Sequence, residues 1–212
     1  MSFSMFFNFE KVSSNIIESE IQYMDDCNTL RENGMEEEQM NLDHFLKNLY
    51  HGSIAAVFIV NLFETSLNTI LTRRLAIEEN EILKASHTLK LQLICKIYNV
   101  DFAKLKSDHS YEVLQLIIKL RNDITHFKTN DIGDGHYLVK GLSIPLGTTK
   151  KYFLEDLFSK SFIEECYNGT IQFLSLLCDE CGLLLNKNCE IIDSDGTSSL
   201  CEFIIDKSQM DD

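Results

Sequence analysis

The hexapeptide Arg121-Asn122-Asp123-Ile124-Thr125-His126 places a fixed cation, an amide and the one side chain that titrates near neutral pH within about a turn and a half of helix. That set suits phosphate chemistry. A guanidinium binds anionic oxygens through a planar fork of N–H donors, and an imidazole can take or give a proton. A plainer role suits the same residues. As cations at a helix C-terminus, Arg121 and His126 would be favoured there by the macrodipole.

The residues before the hexapeptide give it a geometry. Val113, Leu116, Ile117, Leu120, Ile124 and Phe127 follow the i, i+3, i+4 rule, and Leu114 and Ile118 widen the stripe. At about 100° per residue, Asn122 and His126 fall one turn apart on the polar side. Arg121 projects between Ile117 and Leu114, inside the apolar arc. A guanidinium there must snorkel off the helix end or meet an anion, because a buried unpaired charge is too costly to persist. The anion is a carboxylate or a phosphate.

The string Leu120-Arg121-Asn122-Asp123-Ile124-Thr125-His126 resembles the Arg-x4-6-His signature, with a polar residue directly after the Arg, of the HEPN superfamily of α-helical proteins. The match spans those residues and the amphipathic helix that ends on them. Active members are metal-independent endoribonucleases, often toxins or abortive-infection and antiphage effectors, and work as dimers with the motif at the interface. The resemblance implies a HEPN-like bundle of about five helices, RNA as substrate, a homodimer through the motif helix, an antitoxin or other regulatory protein as partner, and no metal or cofactor. Metal-free RNA cleavage needs a 2′-hydroxyl to attack the adjacent phosphorus, with proton transfer and charge stabilisation on the phosphoryl oxygens. His126 is then the general base or acid, Arg121 the phosphate clamp, and Asn122 the residue that orients the ring or the substrate, with Asp123 and Thr125 supporting. The alternative is a catalytically inactive HEPN-like module that binds a partner protein or a nucleotide.

A second helix offers an anion for Arg121. Asn61, Glu64, Thr65 and Asn68 stand at i, i+3, i+4 and i+7 in a segment otherwise full of Leu, Phe, Val and Ile. Two placements are open. In one, Glu64 faces the motif helix and holds Arg121, with Asn61 hydrogen-bonded beside it; in the other, the stripe faces solvent and links to Arg73 and Arg74.

Charge constrains the partner. The net is −14, and nucleic-acid binders draw most of their affinity from phosphate neutralisation. The distribution is uneven: residues 1–43 carry −8 and residues 178–212 carry −7, which leaves residues 44–177 at +1. Arg73, Arg74, Lys119, Arg121, Lys128, Lys150 and Lys151 lie in that middle, so a local basic cleft has material.

The elements that must position these residues follow from periodicity. With 44% hydrophobic residues, one proline and nine glycines, the 212-residue chain is predicted to be mostly α-helical with a real core. Helices are expected over 10–31, 36–75, 79–98, 108–127 and 163–185, with a turn near 102–105. Ile54 to Val60 is apolar all round and marks an enclosed helix. Within a 129–149 insertion, 136–139 and 142–144 are expected to pair as a small hairpin about Lys140-Gly141, and short strands are expected at 189–192 and 200–205 around Asp195-Gly196. One helical domain over 1–186 and an acidic tail over 187–212 result.

No apolar run approaches a membrane span, and the Phe-rich start lacks the basic region and cleavage site of a secretory signal, so the cytoplasm is expected. Seven cysteines suit that compartment when reduced. Cys178, Cys181, Cys189 and Cys201 invite zinc, but the Cys-x-x-Cys falls within a helical pattern, and small buried side chains are the simpler reading. His44 and His51 share a helix face as surface or interface histidines. There is no Gly-rich phosphate loop, His-Glu-x-x-His site or nucleophile elbow.

Overall fold

The all-round apolar segment Ile54 to Val60 becomes the middle of the longest helix, and the other helices are arranged about it. The computed structural model describes residues 3–25, 37–74, 84–126, 132–133, 136–138, 151–153, 157–187, 189–193 and 201–205. The element order is β1 (Phe3–Phe7), α1 (Phe9–Tyr23), α2 (Glu37–Arg74), α3 (His87–Tyr98), α4 (Phe102–Lys106), α5 (His109–His126), β2 (Ile132–Gly133), β3 (His136–Leu138), β4 (Lys151–Phe153), α6 (Lys160–Glu180), β5 (Leu183–Leu185), β6 (Ile191–Asp193) and β7 (Cys201–Ile205). The fold is all-α, with small antiparallel strand pairs added to it.

Helix α2 packs against α1, α3, α5 and α6, and α5 lies along α6. The reason is its residue pattern: Ala55, Ala56, Ile59, Val60, Leu62, Phe63, Leu67 and Ile70 all lose their water. Phe63 meets the edge of the Phe173 ring of α6 at 6.0 Å between centroids, and Tyr111 of α5 lies against the same ring at 5.5 Å. The Leu46–Thr72 stretch of α2 is long and apolar enough to cross a membrane by length and composition. That corrects the expectation that no run reaches such a length. Asn61, Glu64 and Asn68 break the linear run but not the helix, and just over half of the stretch is buried inside the bundle.

Short polar side chains fix the helix starts. Asn8 Oδ1 accepts from Lys11 N at 2.7 Å, Ser86 Oγ from Leu89 N at 3.3 Å, Asp101 Oδ1 from Ala103 N at 2.9 Å and Ser159 Oγ from Phe162 N at 3.2 Å. Asn8 does two jobs, since its amide also donates to Glu190 Oε1 at 2.8 Å, beside β6.

Several expected boundaries are corrected. Helix α1 ends at Tyr23, because Met24 turns extended and buries its side chain while Asn48 Oδ1 accepts from the Asp25 N–H at 2.9 Å. Helix α3 starts at His87 rather than near Glu79, behind the Ser86 cap, and the expected turn at 102–105 is the short helix α4, giving six helices among the described residues. Helix α6 stops at Glu180, where Gly182 adopts φ +67°, and Leu183–Leu185 becomes a strand. The strand pairings also differ. β3 pairs with β4 and β2, and the expected partner strand 142–144 lies outside the described residues. β6 pairs with β5, and β7 with β1, so the two strands expected around Asp195-Gly196 do not pair with each other. Cys189 and Ile191, placed in the tail by sequence, are buried in the common core.

Candidate functional site

Helix α5 begins behind Asp108, whose Oδ1 accepts from Ser110 N at 2.9 Å. Its apolar stripe of Val113, Leu114, Leu116, Ile117, Ile118 and Leu120 is buried against α2 and α6, which fixes the rotation of the helix. Arg121 follows on the inner arc, one turn past the fully buried Ile117. Its guanidinium is answered there: Nη2 donates to Glu64 Oε1 of α2 at 3.1 Å. The expected Glu64–Arg121 pair is present. Arg121 Nε is buried and has no hydrogen-bond partner among the described residues.

The same carboxylate oxygen takes a second donor, His87 Nε2 from the start of α3, at 2.5 Å. An ionised carboxylate only accepts, so His87 carries its hydrogen on Nε2 in this pair. Glu64 is kept ionised by its surroundings. The hydrogen bond from His87 lowers its pKa most; burial opposes this, and the charges of His87, Arg121 and Lys90 act in the same direction as the hydrogen bond.

Lys90, one turn into α3 from His87, is 3% exposed. Burial pulls its ammonium below the ordinary lysine range, and the nearby Glu64 carboxylate resists that shift. Among the described residues the Lys90 side chain makes no hydrogen bond or ion pair, while its backbone N–H donates to the Ser86 carbonyl at 3.0 Å. Phe63 forms an apolar wall beside the imidazole, its ring 5.7 Å from that of His87. Three helices thus bring Arg121, His87 and Lys90 to one carboxylate.

The remaining predicted residues divide. Asn61 is half-buried one turn before Glu64, but it makes no hydrogen bond to Glu64 or Arg121 among the described residues, so its expected place in the pair is corrected. The amide of Asn61 is one turn away along α2, whereas the donors that reach Glu64 come from α3 and α5. Asp123 accepts from Lys119 at 2.8 Å, an i, i+4 pair on α5. The Thr125 hydroxyl donates to the carbonyls of Arg121 at 2.9 Å and Asn122 at 3.2 Å, folding back on the preceding turn of the helix. Asp123 and Thr125 therefore hold the last turn. Asn122 is half-buried on the polar side, and His126 is the last residue of α5; the His126 side chain lies outside the described residues, as do those of Arg73 and Arg74.

Sequence reasoning missed His87 and Lys90. The signal was available: Lys90 stands in the apolar arc of α3 with Ile94 and Ile97, as Arg121 stands in that of α5, and a cation there demands an anion. Extending α3 back to Glu79 hid it, because His87 then fell in mid-helix rather than at a capped start.

Two other histidines, His44 and His51, are paired with carboxylates. His44 and Lys47 of α2 share Asp25, at 2.5 and 2.7 Å, and His51 holds Glu20 at 2.7 Å between the rings of Tyr23 and Tyr50. Among the described residues no three His, Cys, Asp or Glu side chains are grouped as a metal would need. Cys166 and Cys178 are fully buried, and burial raises the thiol pKa of Cys166 and, to about 12, that of Cys181.

Comparison with protein-family models, with curated proteins and with solved structures gives no match.

Proposed function

We propose that this chain is a metal-independent endoribonuclease of the HEPN type, acting in the cytoplasm as a toxin or antiphage effector, with RNA as substrate. Arg121 would clamp the scissile phosphate and His126 move the proton, with Asn122 aligning the ring or the substrate. Two copies joined through α5 would place two Arg and two His about one cleft. One observation carries the reading: Arg121, five residues before the closing His126, points inward and is held by Glu64 with guanidinium donors to spare. A held guanidinium loses little freedom when a phosphate arrives, which is what electrostatic stabilisation of a phosphoryl group requires.

The test is cleavage of labelled RNA by purified protein in the presence of a chelator, beside Arg121→Ala and His126→Ala, with solution mass measured in parallel. Cleavage by the wild type, lost in both folded variants, supports the enzyme. No cleavage at any salt concentration, or a strict monomer, overturns it.

A second reading has its own observation. Glu64 already occupies Arg121, and the chain is acidic overall, as suits a silent module that binds a partner protein or a nucleotide. Growth of cells expressing each form separates the two. Toxicity that vanishes with His126→Ala belongs to the enzyme, and neutralisation by a co-expressed protein would identify an antitoxin.

A further inference from the structure

Among the described residues, the junction of α2, α3 and α5 carries more positive charge than its one carboxylate answers. Glu64 Oε1 takes both the His87 imidazole, at 2.5 Å, and the Arg121 guanidinium, at 3.1 Å. Lys90 adds a third nitrogen base whose charge reaches Glu64, although it is 3% exposed and its side chain makes no hydrogen bond or ion pair among the described residues. With Arg121 and Lys90 charged against Glu64, the described residues of the junction hold +1 when the imidazole is neutral and +2 when it is protonated. The start of α3 adds the positive end of its dipole, with no acidic residue in its first turn. One polar donor at the junction has no partner among the described residues: Arg121 Nε.

The Lys90 side chain is nearly all buried and bonds to no other side chain among the described residues, and a buried guanidinium N–H without an acceptor is costly. One incoming anion answers both cations. A phosphate oxygen accepts from Lys90, and the vacant edge of Arg121 suits a second oxygen in the paired geometry that guanidinium and phosphate share. A phosphodiester, with one negative charge, suits the +2 state, in which the protonated His87 keeps Nε2–H on Glu64 and gains a second N–H, on Nδ1, to donate.

We infer that Arg121, Lys90 and His87 form a phosphate-binding site within a single protomer, with Glu64 holding the imidazole and the guanidinium in position before the ligand arrives. The site stands on its own geometry. Only the identity of the phosphate as part of RNA rests on the ribonuclease reading.

The experiment titrates the full chain with inorganic phosphate and, separately, with a short 2′-O-methyl oligoribonucleotide that cannot be cut. The readouts are the His87 imidazole resonances by NMR and the affinity by calorimetry, for wild type, Lys90→Met and His87→Gln. Both ligands are expected to move the His87 resonances of the wild type. Lys90→Met, whose fold is checked by circular dichroism, is expected to weaken binding about tenfold or more, and His87→Gln to weaken it less. Tighter binding of the oligonucleotide supports the site and assigns its phosphate to a nucleic-acid backbone; equal binding supports the site with free phosphate as its ligand.

Unmoved His87 resonances at saturating phosphate would overturn the site, as would wild-type affinity in both variants. Failure of the two readings is separable. Phosphate bound without RNA cleavage leaves the site and removes the nuclease. RNA cut at the wild-type rate by Lys90→Met, with no phosphate effect on His87, does the reverse.

Discussion

Gly169 of α6 lies so close to Val113 of α5 that a Cβ on the glycine would sit 2.7 Å from Val113 Cγ1 and 3.0 Å from its Cβ. The motif helix is seated by that contact. Alanine would raise helix propensity by about 1 kcal/mol at this position, but overpacking of a tight contact costs about 1–3 kcal/mol, and the obstructing atoms belong to a stiff β-branched side chain. Gly169→Ala is expected to lower stability by about 1 kcal/mol net in urea denaturation. Adding Val113→Ala should remove the clash at the expense of a small cavity, so the double variant departs from the sum of the single effects. Additive effects would show that the two helices do not meet there.

Glu64 gives a pH signature. Its pKa is lowered in the fold, so the unfolded chain binds more protons in the acid range and the contribution to stability rises with pH. That contribution is complete above about pH 5 and fades as the pH falls through the depressed folded value. Because the side chain is 37% exposed, solvent screening keeps the expected loss for Glu64→Gln at about 1 kcal/mol at neutral pH. Paired urea titrations at pH 7 and pH 3 should show a difference between wild type and variant that narrows in acid. A gap that widens in acid would contradict the assignment.

The proposed chemistry fixes what the substrate must contain. Attack by a neighbouring 2′-hydroxyl needs that hydroxyl, so a strand with a single 2′-deoxy nucleotide at the cut position should remain intact there while other positions are cut. Products should carry cyclic phosphate ends, read by mass spectrometry. Removal of a transition-state donor of this kind costs about 10²–10³ in rate, the loss expected for Arg121→Ala. Cleavage of DNA at a comparable rate would sink the mechanism.

The thiols should be quiet. Cys166 is fully buried, and Cys181, half-buried, has its thiol pKa pushed up to about 12 by burial first and by Cys95 and Glu180 beside it. Since the thiolate is the nucleophile, peptide-level alkylation at pH 8 should be slower at Cys166 and Cys181 by about 100-fold or more in the native protein than in urea. Rapid native labelling of Cys166 would show that its surroundings open readily.

What could be read in advance was what local periodicity encodes. The i, i+3, i+4 pattern located α2 and α5, and the enclosed Ile54–Val60 segment pointed to the centre of the bundle. The Arg121–Glu64 pair was legible because a cation in an apolar arc needs an anion, and the polar stripe of α2 offered one. His87 and Lys90 were lost to a misplaced helix start, which shifted them away from the Ser86 cap. The end of α6 was missed because Leu183–Leu185 continues the apolar run past Gly182, and only the left-handed backbone there shows the break. Strand partners were missed for another reason. Phe7 pairs with Cys201, and nothing in the alternation of either segment names so distant a neighbour.

Asn8 shortens the closure that this distant pairing requires. Bringing β1 to β7 directly would close a loop of nearly the whole chain, and loop-closure entropy grows with the logarithm of loop length. Once the Asn8 amide has bonded to Glu190, the span left to close runs only from Glu190 to Cys201. The entropic cost of joining the strands then falls by about 2–3 kcal/mol. Together with the contacts of Ser14 to Tyr167 and Cys189, the Asn8 amide thus turns a pairing of strands remote in sequence into a short closure in space.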